Sequence, residues 1–233
     1  PLRRQRQMCI RDSPYAHDEL GEIFDVFEDD DDLWVAIITG AGDKVFCNCN
    51  DLKYSASGKP MWIPKSGFGG LMSRQRRKPL IAAVNGFAMG GGMEIALVSD
   101  IVIAAGNAMF ALPEVKSSLI AAGRIPLKVA MDLLLMSCQL TAAEAERLDI
   151  FNRIVPAGEA LQAARKYAEA ICKNSHSAVQ LSKKLLNETA EHASIDPVVR
   201  DMPNAINDLL SSEDFMGGLH AVAEKRKPRW TEK

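Results

Sequence analysis

The sequence predicts a layered α/β fold with a helical C-terminal part, and three observations carry that expectation. Residues 33–39, 80–84 and 101–104 are continuous apolar runs of strand length, the pattern of strands covered on both faces. Punctuation such as Gly40-Ala41-Gly42 closes these runs as turns. After Pro126 the apolar pattern becomes helical almost throughout, and no segment repeats at a fixed period. Strands in the first half and helices in the second give a packed core with helices appended.

Each element follows in order. Ser13-Pro14 opens a first helix, with the hydroxyl as cap and proline in the first turn. Leu20, Ile23, Phe24 and Phe27 recur at helical spacing, and the acidic run 28–32 ends the helix in solvent. Residues 45–53 read as a tight turn after a strand, and 55–70, rich in Gly, Pro, Ser and Lys, as a mobile loop. The strand 80–84 precedes a short buried helix over 93–98, and 101–104 and 109–111 are further strands. Thr141-Ala142-Ala143-Glu144 is a capping box that starts a helix running to Leu148. Residues 159–173, 178–190 and 197–210 are amphipathic helices.

Composition excludes several function classes. At 233 residues, 47% of them hydrophobic, the chain fits one domain of ordinary size with ample apolar surface for a core. A net charge of -2 offers no field for nucleic acid or an anionic membrane. No apolar run approaches the roughly 20 residues that span a bilayer. The cysteines Cys9, Cys47, Cys49, Cys138 and Cys172 show no metal-ligand spacing, so free thiols in a reducing compartment, and no metal, are expected. Residues 1–13 are Arg-rich, lack an opening Met and have no apolar centre. They read as a non-native or truncated start rather than a secretory signal, with a transit-peptide remnant as the alternative.

The chemistry-bearing residues form three short motifs. Asn85-Gly86-Phe87-Ala88-Met89-Gly90-Gly91-Gly92-Met93-Glu94 ends in one glutamate, and Phe110-Ala111-Leu112-Pro113-Glu114 in a second. The third runs from Val45 through Cys47, Asn48, Cys49, Asn50, Asp51 and Leu52 to Lys53. Gly90-Gly91-Gly92 follows a strand and opens a helix, where glycine lets backbone approach a ligand and the first-turn N–H groups lack internal partners. Such a turn suits developing negative charge. It fits neither a dinucleotide fingerprint nor a phosphate-binding Walker loop. Glu94 could instead complement the helix dipole, and a structural role is equally open for Glu114. Two carboxylates beside two exposed backbone turns point to an enzyme that makes and quenches an enolate. Cys47 and Cys49 read as small core residues. Arg74, Arg76, Arg77 and Lys78 read as a solvated loop, and His17, His176, His192 and His220 as surface-like helical residues outside catalysis.

Together the three motifs resemble the crotonase (enoyl-CoA hydratase/isomerase) superfamily, from Ser13 to Lys233. Residues 34–42, 78–86 and the closing 224–230 share the resemblance. Asn50-Asp51-Leu52-Lys53 and Ser212-Glu213-Asp214-Phe215 look closest to the enoyl-CoA hydratase branch that includes carnitinyl-CoA dehydratases. The resemblance implies a spiral of ββα turns over 14–156 and a C-terminal helical trimerisation region over 157–233. It implies an oxyanion hole of the Asn50 and Gly91 backbone N–H groups, with Asp51, Leu52, Lys53 and Gly90 binding substrate and CoA. Glu94 would be the base that orients water and Glu114 the acid. The substrate would be an acyl-CoA thioester, with no cofactor beyond it. The assembly would be a homotrimer, or a hexamer of paired trimers, in the cytoplasm, or in the mitochondrial matrix of a eukaryote. The resemblance implies an enoyl-CoA hydratase, with a crotonobetainyl-CoA hydratase (carnitinyl-CoA dehydratase), an enoyl-CoA isomerase and a silent acyl-CoA-binding scaffold as the alternatives. At Gly123-Arg124 the chain lacks several residues of a Gly-Gly turn and helix start usual in the family, and the family's N-terminal hairpin is missing. Slow hydration is the expected consequence.

Overall fold

The computed structural model describes residues 14–48, 65–113, 125–191, 210 and 212–230. The terminal segment 1–13, most of the 55–70 loop and all but Leu210 of the 197–210 helix lie outside them.

Helix α1 spans Pro14–Asp29 and buries Phe24 and Phe27, as their spacing requires. Eight short strands follow: β1 (Ala36–Thr39), β2 (Val45–Cys47), β3 (Leu80–Val84), β4 (Phe87–Met89), β5 (Ile101–Ala105), β6 (Met109–Ala111), β7 (Gln139–Thr141) and β8 (Arg153–Val155). Among the described residues a 3₁₀ turn, Phe68–Gly70, precedes β3. Helices α2 (Gly91–Val98), α3 (Leu127–Met136), α4 (Ala142–Arg147), α5 (Ala160–Ile171), α6 (His176–Glu191) and α7 (Glu213–Ala223) complete the described elements. The capping box is formed: Thr141 accepts from the Glu144 N–H, and the Glu144 carboxylate receives the Thr141 N–H.

The strands make two four-stranded sheets in the order β1-β3-β5-β8 and β2-β4-β6-β7. All pairings are parallel except the antiparallel edge β6-β7. The chain alternates between sheets, β1 then β2, β3 then β4, β5 then β6, and β3, β4 and α2 make one complete ββα turn of a spiral.

Coverage on both faces explains the apolar runs. In β3, Leu80, Ala82 and Val84 face the main core with Phe24, Phe46 and Phe110, while Ile81 and Ala83 face the other way. That outer face carries α5, whose Ala160 and Ala164 pack on Ile81, Ile103 and Ala105. Alanine at the contact lets the helix sit close to the sheet.

The basic cluster before β3 is not a solvated loop. Lys78 is 1% exposed, and its Nζ donates to the carbonyls of Phe27 (2.8 Å) and Asp30 (2.7 Å), completing the end of α1. Arg76 donates to the Val98 carbonyl at the end of α2, and Arg74 to the carbonyls of Gly70 and Gly21. Cations satisfy the carbonyls that a helix C-terminus leaves open. Arg77 alone of the four keeps a mostly exposed side chain.

Candidate active site

Three parallel strands of the second sheet bring the motifs together. β2 pairs with β4 through Val45↔Phe87 and Cys47↔Ala88, and β4 pairs with β6 through Ala88↔Phe110 and Met89↔Ala111. Their C-terminal ends therefore lie side by side. From them issue, in order, the segment leading to Asn50, the glycine turn leading to Glu94, and Leu112-Pro113 leading to Glu114. Carboxyl ends of parallel strands are the usual place for a ligand in open α/β sheets.

The three glycines of the turn are required for three different reasons. Gly90 has φ 56° and ψ −124°, a conformation that L side chains avoid. Its N–H donates to the Ala111 carbonyl at 2.8 Å, which fastens the turn to the end of β6. A Cβ on Gly92 would overlap the Cys47 carbonyl, so α2 is pressed against the end of β2. A Cβ on Gly91 would overlap Cε1 and Cζ of Phe68. Gly91 is the first residue of α2, where an N–H has no intrahelical acceptor. Glu94, in the same first turn, is half-buried in a helix whose Met93, Ile95 and Ala96 are fully buried.

Of the expected site residues, the structure thus places Gly90, Gly91 and Glu94 in one turn. Asn50, Asp51, Leu52, Lys53 and Glu114 lie outside the described residues, as does Cys49. In the sequence Glu114 follows directly on Pro113, three residues past the Ala111 whose carbonyl holds Gly90.

Sequence reasoning missed two supporting residues. His17 is 1% exposed rather than surface-like, and its Nδ1 accepts the Gly69 N–H at 3.1 Å. Its ring meets Phe68 edge-on at 4.6 Å. The available signal was helical spacing, since His17 shares a face of α1 with Leu20 and Phe24. Phe68 is enclosed by glycines at 67, 69 and 70, a pattern read only as loop composition.

The sequence pattern of the enoyl-CoA hydratase/isomerase family matches residues 13–233. The chain belongs to that family. Carnitinyl-CoA dehydratase of Proteus mirabilis is 38% identical over 94% of this chain and 89% of its own length. The Escherichia coli K12 protein of the same name is 36% identical over 91% and 87%. Among solved structures, an enoyl-CoA hydratase from Mycobacterium tuberculosis H37Rv superposes with a TM-score of 0.89 at 35% identity, over 96% of this chain and 90% of that one. A carnitinyl-CoA hydratase from Mycobacterium avium gives a TM-score of 0.73 at 37% identity, over 96% and 90%. The crotonase spiral expected from the motifs is therefore the fold of this family member.

Proposed function

We infer that this enzyme is a hydro-lyase that adds water across the double bond of a 2-enoyl-CoA thioester. The observation that carries the reading is the convergence of the three motifs at the C-terminal ends of β2, β4 and β6. The names of its relatives support the same chemistry.

The thioester oxygen sits between the Gly91 and Asn50 N–H groups. Glu94 takes a proton from water as the water oxygen bonds to the β-carbon. The double-bond electrons move toward the thioester, and its oxygen becomes the enolate oxygen held by the two donors. Glu114 then protonates the α-carbon, and the enolate electrons return to form the new C–H bond. Donors fixed before the charge develops need no reorganisation, and one such donor is worth about 3–4 kcal/mol. Glu94 gains the proton that Glu114 loses, so exchange with solvent resets the pair.

A second reading, crotonobetainyl-CoA hydration, is favoured by the relatives named carnitinyl-CoA dehydratase. Loss of the enoyl-thioester absorbance with crotonyl-CoA and with crotonobetainyl-CoA decides between them. Loss with neither, in protein that binds both, would return the chain to the silent-scaffold alternative.

Asp51, Leu52, Lys53 and Gly90 complete the proposed substrate and CoA contacts. A spiral core over 14–156 and an oligomerising region over 157–233, giving a trimer or paired trimers, complete the proposed assembly. Leu186 (72% exposed), Leu219 and Met216 on α6 and α7 are apolar surface in the isolated chain and support it. Light scattering showing an active monomer at micromolar concentration would rule it out. The free thiols Cys138 and Cys172 suit a reducing compartment, cytoplasm or mitochondrial matrix. Among the described residues no helix is long and apolar enough to cross a membrane.

A further inference from the structure

The first turn of α2 is held on three sides. Ala111 holds Gly90 through the 2.8 Å hydrogen bond, and the Cys47 carbonyl lies against Gly92. The third support is the Phe68 ring, which lies against the Cα of Gly91. Gly91 is not among the positive-φ glycines, so the ring, and not the backbone, excludes a side chain there. Phe68 is itself fixed from behind. Its 3₁₀ turn is closed by Gly70 N–H to Gly67 O (3.0 Å) and Ser73 N–H to Ser66 O (2.9 Å). His17 accepts the Gly69 N–H and sets its ring edge-on to Phe68 at an interplanar angle of 60°. A packed line thus runs from α1 through His17 and Phe68 to Gly91. Packed interiors transmit displacement, so the position of the ring fixes the position of the turn.

We propose that Phe68 is a positioning residue for the Gly91 N–H, with His17 locking the ring in place. The inference rests on the reading of Gly91 as an oxyanion donor. An oxyanion donor acts only within hydrogen-bond reach of the developing charge, and a misplacement of about 1 Å can cost on the order of 100-fold in rate. Two supports constrain Gly90 and Gly92; without the ring, the residue between them can tilt.

The test is a double-mutant cycle on Phe68→Ala and Gly91→Ala, read with crotonyl-CoA on protein whose folding is checked by circular dichroism. Phe68→Ala is expected to lower kcat about 10- to 100-fold and to keep KM within about threefold, the split of an interaction made in the transition state. Gly91→Ala keeps its N–H but drives a methyl into the ring, so kcat falls. The double variant, with space for that methyl, is expected to regain part of the loss. Should Phe68→Ala not fold, Phe68→Leu reads the same quantity, with a smaller fall in kcat and the same constant KM. Acetoacetyl-CoA gives a readout independent of turnover: the absorbance of its bound enolate is expected to weaken in the Phe68 variants.

Parental kcat and enolate absorbance in a folded Phe68 variant would overturn the positioning role and leave Gly91 as donor. So would a Gly91→Ala loss that the double variant does not relieve. An unchanged kcat in Gly91→Ala, which keeps the N–H, would likewise overturn the positioning role and leave Gly91 as donor, whereas a parent protein that binds acetoacetyl-CoA without any enolate absorbance would overturn the oxyanion reading itself.

Discussion

Asn85 accepts the Gly40 N–H on Oδ1 at 3.0 Å, across 45 positions of sequence, and so ties the end of the first strand to the end of the third. Its Nδ2 donates to the Gly42 carbonyl at 2.8 Å and to the Val45 carbonyl at 3.3 Å. The side chain thereby fixes the turn that launches β2, and β2 in turn presses on Gly92 at the start of α2. One amide connects two successive turns of the spiral to the site.

Asn85→Ala is therefore expected to destabilise the fold by about 0.5–1.5 kcal/mol, the net worth of a typical hydrogen bond, because its partners are part-buried or exposed and water can replace the lost contacts. Urea unfolding should show a lower midpoint with an unchanged slope. Asn85→Asp keeps an acceptor for Gly40 but turns a negative oxygen toward two carbonyls. It should be no more stable than the alanine variant at neutral pH. Parental stability in Asn85→Asp would show that the Nδ2 bonds contribute nothing.

The two glutamates carry the second prediction. Glu94→Gln and Glu114→Gln each keep the shape of the side chain and remove its proton chemistry. General acid–base groups contribute about 100- to 10,000-fold, so kcat should fall by that order in both. Acyl-CoA affinity, by isothermal titration, should stay within about threefold of the parent, because the acyl group and CoA meet the same surface. Equal loss of binding in both variants would identify a structural pair instead.

Lys183 is the third. Its Nζ donates to Asp100 Oδ2 and to the Lys78 carbonyl, each at 2.7 Å, and the side chain is 11% exposed. Burial lowers the pKa of Lys183 from its ordinary value, and the nearby Asp100 carboxylate partly restores it. The contact fastens α6 to the start of β3. Lys183→Met should cost about 2 kcal/mol in urea unfolding, below the 3–5 kcal/mol typical of a fully buried pair, because Asp100 keeps 22% exposure and has Arg76 at 3.9 Å. A loss below about 0.5 kcal/mol, the range of ordinary surface substitutions, would place the pair among solvated contacts.

How much of this was legible in the sequence follows from where each residue finds its partner. The strands β1, β3 and β5 were readable because both of their faces are covered, which leaves an uninterrupted apolar run. Of the three-residue strands of the second sheet, β6 was read as a strand, but β2 fell within the stretch read as a turn and β4 sits between Gly86 and Gly90, which read as turn punctuation. β7 and β8 lie among helices and are equally short. The glycine turn with Glu94 announced itself because donors and carboxylate are adjacent in sequence. The residues that hold it did not. Lys78 meets the Phe27 carbonyl 51 positions away, and His17 meets Gly69 across 52, so composition presented them as solvated or surface groups. Long-range satisfaction of polar groups is invisible to a window of ten residues.

His176 supplies the last prediction. Its ring stacks on Trp34 at a centroid distance of 4.2 Å, and among the described residues its buried Nε2 has no hydrogen-bond partner. Burial lowers the imidazole pKa below its ordinary value of 6.5, and the Lys78 charge lowers it further. Asp214, Asp31 and the Trp34 backbone pull the other way without restoring it. The folded state therefore holds this ring neutral where the unfolded chain would protonate it. Because the folded pKa lies below the unfolded one, the contribution to stability is complete above pH 6.5 and is lost as pH falls from there toward the folded pKa. Thermal or urea unfolding should show stability declining with acidity in that window. His176→Phe keeps an aromatic stack on Trp34 and removes the titrating nitrogen, so its stability curve should be flatter below pH 6.5 than that of the parent. Parallel curves for the two proteins across that window would show that the ring exchanges its proton equally in both states.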